Sequence, residues 1–375
     1  MNTTLSPLLQ TLSQCLCPPG EGVYTVHTGR ERRNALQEKL FGAAALANGQ
    51  VRQAWLDGLQ ANLAQASCAV LGIASDCGGG IQRGANWGPL FLRSAMLQAQ
   101  DMPQALDLGD VRVIPHLLHD KYLNTETLAA CRAALYPTLS AEAAADLPVA
   151  PLSIAERVAH DVQQALPHLK LFMIGGDHSV SYPMVRTWLA ARQAGGRAAL
   201  IHFDAHTDLL QTRLGIDLCF GTWTSQIFPW LASPQHLVQI GIRASGRERG
   251  HWESTFGHVQ YWSEETRQLG AAQQAAQICA HLHKLGVEEI YISYDIDCLD
   301  QSLAGATGTP EDGGMTVEES LQIIQALCAQ FTLSGADIVE IAPMVKAPGV
   351  AQNEPETTLA SACALARPML QAMGA

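Results

Sequence analysis

Charge is scarce in this 375-residue chain: Asp, Glu, Lys and Arg together make up 15% of it, and aromatic residues only 6%. With 47% hydrophobic residues, that scarcity excludes a largely disordered chain and leaves ample material for a buried core. There is no Lys/Arg-rich block, and the formal charge is −12, so nucleic acid is not an expected partner. An acidic surface suits a cationic small molecule. No run approaches the roughly 18 apolar residues of a membrane span, so no membrane partner is expected either. The first 22 residues, MNTTLSPLLQTLSQCLCPPGEG, lack a basic n-region and a long apolar core, and no signal peptide is read in them. CxxC is absent. The ten cysteines are scattered from Cys15 to Cys363, which points to reduced thiols in a cytoplasm. GxSxG, P-loop and HExxH motifs are missing, and Gly78, Gly80 and Gly84 miss the GxGxxG spacing.

What is present is an alternation. Short apolar runs at Cys68–Ala74, Leu171–Ile174, Ala198–Phe203, Leu237–Ile242, Ile290–Tyr294 and Asp337–Ile341 are separated by helix-period stretches. The helices are expected near 154–166, 181–193, 264–284, 316–329 and 357–371. Continuous apolar strands between helices predict a three-layer α/β/α sandwich around a mainly parallel sheet. Residues 1–66 read as a helical extension and 67–375 as the main domain. Residues 116–150 break the rhythm and read as an insertion or long loop.

Ligands of an open parallel sheet bind beyond the carboxyl ends of its strands. Three predicted strands here run into metal-type residues: GGDHS, DAHTD and DIDCLD. Asp204, His206 and Asp208 stand at i, i+2 and i+4, and an extended backbone turns alternate side chains to one face. Asp295 and Asp297 repeat the i, i+2 spacing, and His178 closes a third strand. A single Asp-x-Asp is usually a turn or a cap. Four carboxylates converging on one rim are another matter, since they repel each other unless cations lie among them. Four negative charges balance two divalent ions. Asp204 and Asp295 are placed to bridge them, and such a pair lowers the pKa of bound water. Oxygen-rich donors with one imidazole per ion suit Mn²⁺ better than Zn²⁺ or Ca²⁺, with Ni²⁺ and Co²⁺ as alternatives.

GGDHS, DAHTD and SYDIDCLD, followed by ATGTPEDGG and DIVEIAP, resemble the arginase/agmatinase (ureohydrolase) family in type and order. The likeness spans about residues 68–371, GGGIQRGANWGPLFLR and LDLGDV included. It implies one manganese on His178, Asp204, Asp208 and Asp295 and a second on Asp204, His206, Asp295 and Asp297. It also implies hydrolysis of a guanidino C–N bond to urea and an amine, by trimers or hexamers. Glu340 matches the family's acid that holds the guanidinium, as a carboxylate at a buried strand end can. Asp208 is the expected residue orienting the nucleophile.

Two departures stand out. The family's His-Gly-Thr histidine, a proton shuttle, is replaced by Phe220 in Phe220-Gly221-Thr222, and Phe cannot relay a proton. The usual Asp-Pro is Asp300-Gln301. The expected substrate is therefore a guanidine other than arginine or agmatine. The alternatives are a formimino or other amidine, or a metal-binding homologue of reduced activity serving a structural or regulatory role. His251 and His258 are candidate replacements for the shuttle. Phe220, Trp223, Phe228 and Trp230 are candidates to wall a pocket or pack a subunit contact.

Overall fold

The structure is a computed structural model, and it describes residues 5–23, 28–192, 195–345 and 353–374. Its centre is a nine-stranded sheet. The strands are β1 (Leu16–Cys17), β2 (Cys68–Gly72), β3 (Leu106–Val111), β4 (Lys170–Ile174), β5 (Ala198–Phe203), β6 (Leu237–Ile242), β7 (Val259–Trp262), β8 (Glu289–Asp295) and β9 (Thr332–Val339). Their spatial order is β1-β3-β2-β4-β9-β8-β5-β6-β7. All neighbours are parallel except β1 against β3.

Successive side chains of a strand point to opposite faces, and the central strands are apolar on both. Phe172 and Ile174 therefore join Ile201, Phe203, Ile292 and Ile338 in one core, which is closed by helices Gly88–Met96, Ala271–Lys284, Val317–Gln330 and Glu356–Met373. Leu171 and Met173 join Leu200, Leu237 and Tyr291 in the other, beneath helices Leu5–Cys15, Val51–Asn62, Pro151–Ala165 and Ser181–Ala190. The result is the three-layer α/β/α arrangement.

All six apolar runs coincide with strands: Ala198–Phe203 and Leu237–Ile242 match end to end, and the other four have shifted ends. β9 begins at Thr332 rather than Asp337, where pairing with β8 starts, and Ser334 and Gly335 hide that start by interrupting the apolar pattern; Gly335 leaves room for the Tyr291 ring, which a Cβ there would strike. The expected 264–284 helix is two, Ser263–Leu269 and Ala271–Lys284, parted by Gly270 at φ 79°. The expected 181–193 helix is Ser181–Ala190, capped at Ala191, and residue 193 lies outside the described residues.

β3 was hidden by its aspartates, since an Asp-rich run does not read as a buried strand. Arg93 accounts for them: its Nε lies 2.9 Å from Asp107 Oδ2, and it also pairs with Asp110. The segment before residue 66 contributes β1 as well as helices, and Leu8, Leu12, Trp55 and Leu59 are buried against the sheet. Within 116–150, helix Thr125–Leu135 and a small core around Tyr136, Leu147 and Val149 give the insertion its own packing.

Candidate metal centre

β4, β9, β8 and β5 are consecutive neighbours in the sheet, and each leads at its carboxyl end to a candidate residue, respectively His178, Glu340, Asp295 and Asp204. Beyond β4, Gly175-Gly176 carries the chain past the β2 loop so closely that a Cβ on Gly176 would fall on the Ser75 carbonyl. Asp177 then accepts from Ser179 N at 2.9 Å and caps a tight turn that begins at His178. Asp295 ends β8 and accepts from Asp297 N at 2.9 Å, which turns Asp297 onto the same rim. Asp208 and Glu340 both adopt left-handed backbone, φ 53° and 62°, a conformation that costs non-glycine residues energy and that clusters at functional sites.

The expected ligands come together. His178 Nδ1 stands 3.1 Å from Asp204 Oδ2, 3.2 Å from Asp208 Oδ2 and 3.1 Å from Asp295 Oδ2. His206 Nδ1 lies 3.4 Å from Asp204 Oδ1 and 3.2 Å from Asp297 Oδ2. Asp204 thus turns one oxygen to each histidine. Asp295 reaches the His178 side, its other oxygen being taken by Asp297 N. The aspartates are at most 6% exposed, whereas His206 is 27% exposed on the solvent side.

This donor set fits divalent cations. His178 Nδ1 is buried and makes no well-directed hydrogen bond, although three carboxylate oxygens surround it. Ligands about 2.1 Å from an octahedral ion stand about 3.0 Å apart, close to the spacing found. The electrostatics agree. Burial, then the charges of Asp297 and Asp204, push the Asp295 carboxyl well above its ordinary pKa. Burial and Asp204 raise Asp208, while Asp204 itself is drawn down by His178, His202 and His206 against the cost of its burial. Cations remove that conflict among buried carboxylates.

Glu340 follows β9, with its N–H on Gly176 O at 2.8 Å and its Oε1 accepting from His178 N at 2.7 Å. It is 7% exposed, and burial followed by Asp295, Asp177 and Asp76 raises its pKa well above the carboxylate range. A cation placed beside it would relieve that strain. Thr309 and Glu311 of ATGTPEDGG also arrive here: Thr309 Oγ1 donates to Asp297 Oδ2 at 2.9 Å, and Glu311 Oε1 is 3.6 Å from His206 Nε2. Gln301 N donates to Glu311 O at 3.1 Å, a bond that a proline at this place could not make.

Phe220 packs against the loop that follows β2. Its N–H bonds Gly78 O at 3.0 Å, its ring abuts Gly80, and the Arg213 guanidinium lies 4.8 Å over the ring. Trp223 walls no open pocket: it is fully buried, with its ring centre 4.8 Å from that of His178. Phe228 stacks on Phe256 at 5.0 Å and Trp230 lies under Arg186 at 4.6 Å, so both are engaged in packing. Of the candidate shuttle replacements, His258 is buried and hydrogen-bonded to Gln239 Oε1, and His251 is exposed beside Trp252.

Sequence reasoning missed His202, whose Nε2 is 2.9 Å from Asp204 Oδ2. The signal was present: a histidine two residues before Asp204 shares its face of the strand. It also missed Arg243, whose guanidinium gathers the carbonyls of Asp297, Cys298, Leu299 and Glu311 and so holds the site loops together. That role depends on long-range geometry and leaves no local pattern.

Comparison with known proteins agrees with this geometry. A guanidinobutyrase from Pseudomonas aeruginosa is 27% identical over 298 residues, covering 76% of this chain and 81% of that protein. An agmatinase from Klebsiella pneumoniae is 34% identical over 54% of this chain and 59% of its own length. The crystal structure of a hypothetical agmatinase from Burkholderia thailandensis superposes with a TM-score of 0.61 at 25% identity, over 83% of this chain and 87% of that one. Among the described residues, no helix is long and apolar enough to cross a membrane. Since the arginase family model matches residues 66–371, nearly the whole of the sheet and all of the site, the chain belongs to the arginase family of hydrolases acting on C–N bonds of guanidino and amidino compounds.

Proposed function

We propose that this protein is a dinuclear manganese hydrolase that cleaves a guanidino C–N bond to urea and an amine, on a substrate other than arginine or agmatine. The observation that carries the reading is Asp204, one carboxylate with an oxygen toward each of His178 and His206. His178, Asp204, Asp208 and Asp295 would hold one ion, and Asp204, His206, Asp295 and Asp297 the other. When bound, the metals supply a water of lowered pKa and stabilise developing charge. Ni²⁺ or Co²⁺ would serve the same donors.

The protein's own groups do the rest. Glu340 pairs with the substrate's cationic group, and its burial makes that pairing selective for a cation. Asp208, held by Trp223, orients the nucleophile by accepting a hydrogen bond. The buried floor of the site keeps bulk water from screening these charges. In this reading the enzyme is a cytoplasmic homo-oligomer of trimeric or hexameric form, and residues 1–66 precede the ureohydrolase unit of 67–375.

Phe220 favours a second reading. With no proton relay at that position, a formimino or other amidine C–N bond becomes a candidate target, as does a metal-binding homologue of reduced activity. A urea-release assay over a panel of guanidines, with manganese and with nickel, separates these. Urea from one guanidine supports the proposal, ammonia or formamide identifies the amidine reading, and silence with metal retained leaves the reduced homologue.

A further inference from the structure

The carboxylate shared by the two histidines is pinned at both oxygens. His206 N donates to Asp204 Oδ1 at 2.6 Å, and His202 Nε2 lies 2.9 Å from Oδ2. His202 is fully buried, and its ring nitrogen stands near enough to His178, Asp204 and Asp208 to be a fourth metal donor. Whether it donates to the carboxylate or takes a metal depends on which ring nitrogen carries the proton.

That choice is set two strands away. His202 of β5 pairs with Gln239 of β6, and Gln239 with Gln260 of β7. Trp262 Nε1–H can only donate, and it meets Gln260 Oε1 at 3.1 Å. Gln260 must then present its Nε2 to Gln239 Oε1, at 2.8 Å. On the other side of Gln239, Nε2 meets the Thr207 carbonyl at 2.7 Å, a group that can only accept. An obligate donor at one end and an obligate acceptor at the other fix the Gln239 amide, so the Nε2–H reaching His202 Nδ1 at 2.9 Å donates. Nδ1 accepts, and the ring proton sits on Nε2, aimed at Asp204.

We propose that His202 is a positioning residue and not a metal ligand: a neutral Nε2–H donor, locked in that tautomer through Gln239, Gln260 and Trp262, that stops the Asp204 carboxylate from rotating. The proposal rests on the reading that this cluster holds divalent ions. A carboxylate serving two ions must keep its plane, and donors outside the ligand set are what keep it.

The test uses the full chain, with Mn²⁺ uptake followed by equilibrium dialysis and ring-¹⁵N-histidine spectra recorded without metal. His202→Phe should weaken Mn²⁺ binding about 10–100-fold at unchanged saturating stoichiometry. His202→Gln, whose side-chain N–H reaches the place of Nε2, should restore most of it. The wild-type spectrum should show His202 protonated at Nε2. An Nδ1-protonated His202, an ion lost from the stoichiometry of His202→Gln, or wild-type affinity in His202→Phe would each overturn the proposal. Should His202→Phe not fold, the spectrum and His202→Gln still decide. A wild-type chain that takes up no Mn²⁺ overturns the metal reading itself, a failure told apart because the tautomer is read without metal.

Discussion

Trp223 donates its indole Nε1–H to Asp208 Oδ2 across 2.9 Å, from a fully buried position beside His178. The aromatic residue that looked like a pocket wall is a support for a candidate ligand. Trp223→Phe keeps most of the ring and removes the donor. Hydrogen bonds to charged groups contribute about 1.5–3 kcal/mol, so the metal-free protein should lose stability of that order in urea unfolding, and Mn²⁺ affinity should fall with it. Unchanged Mn²⁺ affinity would show that Asp208 is placed by its backbone alone.

Metal stoichiometry follows from the division of oxygens on Asp204. Elemental analysis of the purified protein should give about two divalent ions per chain. Asp204→Ala should disturb both, while His178→Ala and His206→Ala should each weaken mainly one. A single tight zinc and no second ion would contradict the dinuclear reading.

Glu340→Gln removes the charge and keeps the shape. Metal content should stay intact while kcat/KM falls by at least about 10²-fold, because each 1.36 kcal/mol of lost transition-state binding is tenfold. Wild-type kinetics on the true substrate would make Glu340 structural.

Phe220 predicts poor turnover of arginine and agmatine, at least about 10²-fold below what a positioned general acid contributes. Phe220→His should raise turnover of a standard guanidino substrate. The Phe220 ring lies between Gly80 and the Arg213 guanidinium. Rapid wild-type hydrolysis of either compound would show that another group carries the proton.

His258 gives the acid limb of stability a specific contributor. Burial, with the Arg249 charge beside it, lowers its pKa from 6.5 to about 4, and its Nε2–H is engaged by Gln239 Oε1. Between those values the unfolded chain binds the extra proton, so stability rises with pH there. The contribution, of order 3 kcal/mol, is complete above about pH 6.5 and lost as pH falls toward 4. His258→Gln, which keeps a donor and cannot titrate, should show a shallower fall in urea midpoint over that range. An identical pH profile would remove His258 from the account.

Residue order alone determined the layers and the rim. Apolar runs between amphipathic helices admit few architectures, and acids and histidines placed just beyond the ends of parallel strands gather at one rim of the sheet, here through turns at Asp208 and Asp297 rather than extended backbone. His178, Asp204, His206, Asp208, Asp295 and Asp297 were legible for that reason. The tertiary structure decided what depends on distant partners. β3 is a strand because Arg93 neutralises its aspartates, β1 joins the edge by pairing with β3, and the 264–284 helix breaks where Gly270 turns. Trp223 supports Asp208 rather than lining a pocket, and His202 owes its proton's place to Trp262 by way of two amides. Periodicity records which face a side chain takes. It does not record which group from another strand meets it there, and in a buried polar site that meeting fixes tautomer, charge and orientation.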